Sequence, residues 1–488
     1  MSSFRLTNIM QMLALVVYAA LIVLLPSMHF MPAYLTYHDT HRLLQLSLLG
    51  LVLLHSLFHW QAPMNLISIE NKVQYGLFAL LAFASTSIFL TPIHRHAVIE
   101  ASIFAALAYL ALFFAGLYRE NKDVFIKRFN YALWISILLY MFAFYVGYIT
   151  ACFFRTPLTW PNPLLGFNNP RFFNQYQLWG LGLACLPLLA YGLKKSVRLW
   201  LNVALICWWV LLFYAASRGV LLAWLAGMII TAITYRKLAL PFIKLQLLHI
   251  TVGFCAYGLF FKIIPYIIHL DLVVGEILRD TSSGRIALWK IAIAVTQKYP
   301  WFGAGPMSYP WFSPVNYHPH NSVLQLTAEW GLPATFIMLA LAGYAIYCWL
   351  KRFGADSLAA KTQIDSHFSI LLFFTVVASA AYSLVDGVIV MPMSQVMMFT
   401  VIGIMIGQYG DGHTELTSPK SIKKPIKFRP IFAGIVLAAM TWSTLPEIKQ
   451  GLSGYEEGFS LGPDRISPRI WIQWLRLRSD LMQDVTES

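Results

Sequence analysis

The amino-acid sequence predicts an all-α polytopic membrane protein: a bundle of about twelve to thirteen transmembrane helices with a helical loop on its outer side. Three observations predict it. Of 488 residues, 58% are hydrophobic and only 11% charged, about half the charged share of a soluble globular chain. Apolar runs close to the roughly 20 residues of a bilayer-spanning helix recur from end to end. The basic residues behind the net charge of +14 fall in short clusters between those runs.

Taken in order, the runs place helices over 9–29, 41–58, 74–92, 97–118, 131–151, 177–193, 199–216, 219–235, 246–267, 332–350, 367–389, 391–409 and 430–446. With Arg5 and the N-terminus inside, the even-numbered connections are cytoplasmic. Five of these six are basic: Arg119/Lys122/Lys127/Arg128, Lys194/Lys195/Arg198, Arg236/Lys237/Lys244, Lys351/Arg352 and Lys420/Lys423/Lys424/Lys427/Arg429. Cytoplasmic loops gather Lys and Arg in this way. The same parity puts outside the loop around 152–176, the Ser217-Arg218-Gly219 turn and the segment 268–331. The chain therefore divides into helices one to nine (1–267), a large outer loop (268–331), helices ten to thirteen (332–446) and a short outer tail (447–488). In the tail, Ile470, Trp471, Trp474 and Leu475 recur at helical spacing beside Arg469, Arg476 and Arg478. It reads either as an amphipathic helix lying on the membrane or as a lid that docks an acceptor.

Composition also excludes. Scattered basic residues argue against nucleic-acid binding. Cys152, Cys185, Cys207, Cys255 and Cys348 lie far apart, with neither zinc-ligand spacing nor a disulfide framework. The first apolar run lacks a small-residue cleavage site and reads as a retained helix. No internal repeat is visible, and Glu100 and Asp386 fall near helix ends. A transport path would instead set ionisable groups in mid-helix.

Two histidines, asparagines and a glutamate lie close together in NYHPHNSVLQLTAEWG, residues 316–331. Pro319 favours an extended approach, and Asn321 is a good N-cap. Val323, Leu326, Thr327 and Trp330 then line one helix face, while Asn321, Gln325 and Glu329 share the other. Gly331 ends this short helix, and Pro333 opens the membrane helix that follows. The expected arrangement lays the helix on the outer surface with His318 and His320 at its mouth and its polar face toward water or a cleft. Capping with interfacial solvation, or a functional site, would each account for the stretch alone.

Other outer residues extend the second reading. Arg218 sits between two apolar runs, with only Gly219 beside it to make room. Arg279 and Arg285 lie in the long loop and Arg171 in the earlier one. One interfacial arginine can anchor a headgroup, but converging guanidinium forks suit phosphate or diphosphate. The outer loops hold few acids, namely Asp271, Glu276, Asp280 and Glu329. No carboxylate pair offers oxygen ligands for magnesium, and an HxH alone is a weak metal signature. The expectation is a metal-free site without cofactor, whose arginines carry the phosphate charge. Neither a nucleophile elbow nor a nucleotide-cradling glycine loop is present.

The set SRG at 217–219, SSGRIALW at 282–289, KYPWFGAGPMSY at 298–309 and HPHNSVLQLTAEWG at 318–331 resembles the O-antigen ligase/polymerase superfamily. This is the Wzy-C group of bacterial membrane glycosyltransferases of the GT-C type. The resemblance spans roughly 165–410. It implies a glycan donor on undecaprenyl diphosphate, an inner-membrane location and an active site facing the periplasm. It also implies transfer to an acceptor hydroxyl without metal or nucleotide. The family's essential histidine matches His320, with His318 its neighbour, and its diphosphate-binding arginines match Arg218 and Arg285. FFNQYQLWGLGLA at 172–184, containing Asn174 and Gln175, and YSLVDGVIVMPMS at 382–394, beginning with Tyr382, resemble elements of the protein-glycosylating branch. Phe-Phe there replaces Gln-Pro, and Asp386 stands where glutamate is usual. The branch expected is a protein O-oligosaccharyltransferase acting on a pilin-like protein. The alternative is an O-antigen ligase with lipid A–core as acceptor, then a polymerase; a flippase fits least.

Overall fold

The computed structural model describes residues 2–27, 36–58, 71–276, 284–313, 316–411 and 428–453. Arg279 and the amphipathic part of the tail lie outside the described residues. The chain runs through helices α1 (Ser2–Ala19), α2 (Tyr37–Phe58), α3 (Asn71–Leu90), α4 (His94–Glu120), α5 (Lys122–Phe154), α6 (Pro170–Leu183) and α7 (Leu186–Ala190). It continues through α8 (Lys195–Tyr214), α9 (Arg218–Tyr235), α10 (Leu240–Gly258), α11 (Ile264–Ile268), α12 (Arg285–Lys298) and α13 (Tyr309–Phe312). The last helices are α14 (Ser322–Phe353), α15 (Ala355–Leu358), α16 (Gln363–Ser383), α17 (Pro392–Asp411) and α18 (Phe428–Ser453). A two-residue strand, Leu158–Thr159, pairs in parallel with Leu272–Val273. The protein is an all-α polytopic membrane protein.

Nine helices among the described residues are long and apolar enough to cross a membrane. One of these, Arg218–Ile268, comprises 51 residues, far more than a single crossing of about 20. The chain reverses within it at Arg236 (φ 50°, ψ −124°). Trp224 then donates to Gln246 Oε1 at 2.9 Å, two residues equidistant from Tyr235, so α9 and α10 run antiparallel. The helix expected over 177–193 is corrected: it begins at Pro170, capped by Asn169, and breaks at Ala184 and Cys185 before α7. Pro187, near the start of α7, has no amide to continue the α6 ladder.

Contacts between connections follow the parity predicted from charge. At one end, the His38 amide bonds Asn168 Oδ1, Trp160 Nε1 bonds the Tyr214 carbonyl, His96 packs on Trp311 and Asn321 Nδ2 bonds the Leu384 carbonyl. All of these belong to odd-numbered connections or their borders. At the other, Lys122 pairs with Asp365 at 3.1 Å, Gln363 bonds the Leu189 carbonyl and Arg352 lies over Tyr409. Helix alternation across a membrane produces this segregation.

A large apolar core fills the bundle. A small second one, Ala292, Val295, Tyr309 and Ala328, holds the 285–331 segment together. The surface helix and the membrane helix after it are continuous except at Gly331 (φ 83°, ψ 166°). Any side chain there would meet the Trp301 carbonyl at 2.4 Å, so glycine alone permits both the positive φ and the close backbone approach. Of the two expectations for the polar face, water or a cleft, the structure turns it inward. Gln325 and Glu329 are buried, because Glu329 Oε1 accepts the Tyr309 amide at 2.9 Å and Oε2 the Gln325 amide at 3.4 Å. A buried backbone donor needs such a partner, and this pair pins the 299–313 loop onto the helix.

Candidate active site

Five segments meet at the odd-connection end: the starts of α6, α9 and α12, the stretch 316–321, and the turn joining α16 to α17. Each of the first three contributes an arginine within its first turn: Arg171, Arg218 and Arg285. Helix N-termini carry partial positive charge and unpaired amides, so side chains and backbone favour the same sign of ligand. Burial lowers the Arg285 pKa most; Asp386 opposes that shift, while Arg171 and Arg218 add to it. Arg285 therefore senses the charges of Asp386, Arg171 and Arg218. Arg285 Nε is buried without a hydrogen-bond partner among the described residues.

His320 ends its extended approach with φ 51°, a left-handed conformation that side chains other than glycine adopt at a cost. Its imidazole is buried, with Nδ1 3.2 Å from Asp386 Oδ1 and Nε2 2.9 Å from Asn316 Nδ2. His318 is buried as well; its Nδ1 accepts the His320 amide at 3.2 Å, and its ring lies against Gly387. The two imidazoles, centroids 4.1 Å apart, are thus differently employed: one faces a carboxylate, the other braces its neighbour's backbone.

Asp386 is fully buried. Its Oδ1 accepts the Gly387 amide at 2.7 Å and Gln175 Nε2 at 3.3 Å, and its Oδ2 accepts the Tyr382 hydroxyl at 2.7 Å. Burial pushes the carboxyl up, but hydrogen bonds from His320 and Tyr382 and the nearby histidines outweigh it and hold the group well below the usual carboxylate range. Tyr382 reaches the site because position 219 has no side chain: a Cβ there would come within 2.9 Å of its ring. The turn is held from behind by Arg42 on α2, which donates to the Val390 carbonyl at 2.9 Å and to Gln395 Oε1 at 3.0 Å.

The remaining expected residues serve less directly. Asn321 caps α14 through the Leu324 amide at 3.0 Å and ties it to Leu384. Asn174 is buried and bonds Gln177 along its own helix at 3.2 Å. Glu329 acts within the loop clamp described above. Asp386, Asn316 and Arg42 were not among the expected site residues. A lone acid in the apolar run YSLVDGVIVMPMS and an arginine inside a membrane span are the signals that could have found the first and last.

Residues 203–339 match the family model Wzy_C, described as O-antigen ligase. The match supports the resemblance to the O-antigen ligase/polymerase superfamily over that region. No curated protein matches it. The matched region holds Arg218, Arg285, His318 and His320. Arg171, Gln175, Tyr382 and Asp386 lie outside it and reach the same site through the fold. The match, on a polytopic membrane protein, supports a glycan-transferring membrane enzyme.

Proposed function

We propose that the protein transfers a glycan from a polyprenyl diphosphate, undecaprenyl diphosphate by resemblance, to a hydroxyl of a periplasmic acceptor, acting from the inner membrane. One observation carries this: Arg285, in the first turn of its helix, feels the charges of Arg171, Arg218 and Asp386, and Asp386 in turn holds the buried His320. Guanidinium groups gathered beside one carboxylate suit a diphosphate, whose oxygens match their forks.

In the reaction, the acceptor hydroxyl gives its proton to His320 Nε2 as its oxygen attacks the anomeric carbon. The bond from that carbon to the diphosphate oxygen breaks, and the electron pair leaves with the lipid diphosphate. Asp386 holds the imidazole through Nδ1 and stabilises the imidazolium that forms. The arginines meet charge that grows on the leaving group, which favours the transition state over the ground state. A single displacement inverts the anomeric centre.

The acceptor we favour is a pilin-like protein. The helix α18 packs on α2 and α4, and the charge parity expects the tail after it on the periplasmic side, as in the protein-glycosylating branch. Lipid A–core is the second reading, favoured by the description of the matching family as O-antigen ligase. Deleting the gene, then recording pilin mass and lipopolysaccharide banding, separates them. A pilin that loses its glycan mass while the bands persist supports the first; lost bands with unchanged pilin support the second. If neither changes, the proposal is wrong.

A further inference from the structure

Both ring nitrogens of His320 have a neighbour. Nδ1 faces the Asp386 carboxylate at 3.2 Å, an acceptor-only group when ionised, so Nδ1 carries the proton. Nε2 is left with its lone pair, and Asn316 Nδ2 lies 2.9 Å from it. The direction of that amide is fixed independently: Asn316 Oδ1 accepts the Tyr317 amide at 2.8 Å, which turns the NH₂ end toward the ring. The Asn316 backbone is held in turn by Ser313 Oγ at 3.2 Å. The lone pair that would receive a proton from an acceptor is therefore capped by a neutral donor. Asn316 is only half-buried, so its side chain has room to leave.

We propose that Asn316 guards the base against water, capping His320 Nε2 until an acceptor displaces it. This rests on the reading of His320 as the base. With donor bound and Nε2 bare, a water molecule could give its proton to Nε2 and attack the anomeric carbon. The bond to diphosphate would break, releasing free glycan and lipid diphosphate. Water replacing the Asn316 amide exchanges one hydrogen bond for another and gains nothing. An acceptor brings further contacts that offset the loss, so only an acceptor opens the base. The discrimination lies in what surrounds the attacking hydroxyl, since water and acceptor share the same chemistry.

The test uses purified full-length enzyme with a polyprenyl diphosphate-linked glycan, reading released free glycan without acceptor and product with acceptor. Asn316→Ala should raise acceptor-free hydrolysis about fivefold, the factor that one neutral hydrogen bond supplies, and so raise the ratio of hydrolysis to transfer. Should the alanine variant fold poorly, Asn316→Ser keeps an acceptor for the Tyr317 amide, is too short to cap the ring, and should hydrolyse similarly. Adding His320→Ala should remove the extra hydrolysis. Wild-type hydrolysis in a variant that still transfers overturns the guard. Equal loss of hydrolysis and transfer overturns it too, leaving Asn316 as a support for the ring. If His320→Ala alone transfers normally, the reading of His320 as the base has failed, and not merely the guard.

Discussion

Asp386 Oδ1 lies 3.2 Å from His320 Nδ1, joining two residues 66 positions apart in the chain. The carboxylate receives three further hydrogen bonds, from Gly387, Tyr382 and Gln175, which fix its position as well as its charge. An imidazole held in this way has one proton placement and one outward lone pair.

Asp386→Asn should reduce transfer by at least about 10²-fold, the lower range for disabling general base catalysis. The native carboxyl sits well below its usual range. Its ionised form is therefore favoured by folding above the ordinary carboxylate pKa of about 3.9, and that stabilisation is lost only as pH falls through the depressed value. Acidification to pH 5 leaves Asp386 charged, so the variant should stay impaired at every pH. Recovery on raising the pH would contradict this.

His320→Ala should lose about 10² to 10⁴ in rate while donor is still retained. His318→Ala should act more weakly, since His318 Nδ1 supports the His320 amide. Measuring donor retention beside product formation separates binding from chemistry. If His318→Ala abolishes transfer while His320→Ala transfers normally, the roles are exchanged.

Arg218→Lys and Arg285→Lys should each impair turnover, because a point charge cannot reproduce the bidentate fork. Arg285→Ala should weaken donor binding by roughly tenfold or more, the worth of one hydrogen bond to a charged group. Lysine variants that fold and transfer normally would reduce both residues to membrane anchors.

Gly331→Ala should destabilise the protein by roughly 1–3 kcal/mol, because an alanine would be forced to φ 83° against the Trp301 carbonyl. Thermal unfolding of purified protein in detergent reads this directly. An unchanged midpoint would mean that the 299–313 loop moves aside at little cost.

Reporter fusions after Lys195 and Lys237 should report cytoplasm, and fusions near Pro310 and at the C-terminus periplasm. A cytoplasmic C-terminus would remove one crossing and favour the lipid A–core reading.

The all-α polytopic membrane class was legible in the sequence because it rests on local quantities. Apolar run length meets bilayer thickness, and basic loops meet the inside rule. The Asn321 cap and the Gly331 break were legible for the same reason, since each satisfies or relaxes its own backbone. The histidines and arginines could be singled out because a polar group is costly beside a membrane unless something uses it.

What they turn toward is another matter. The polar face of the helix at 322–331 reads as turned to water or a cleft, and Glu329 faces in because a loop folded back from 299–313 brings the Tyr309 amide that needs it. Asp386 reads as an acid at a helix end, and only the packing of α6 on α16, with the 316–321 stretch brought beside them, sets Gln175, Tyr382 and His320 around it. Periodicity reports which residues share a face. Which face is buried, and beside which partner, follows from long-range packing that no local window contains.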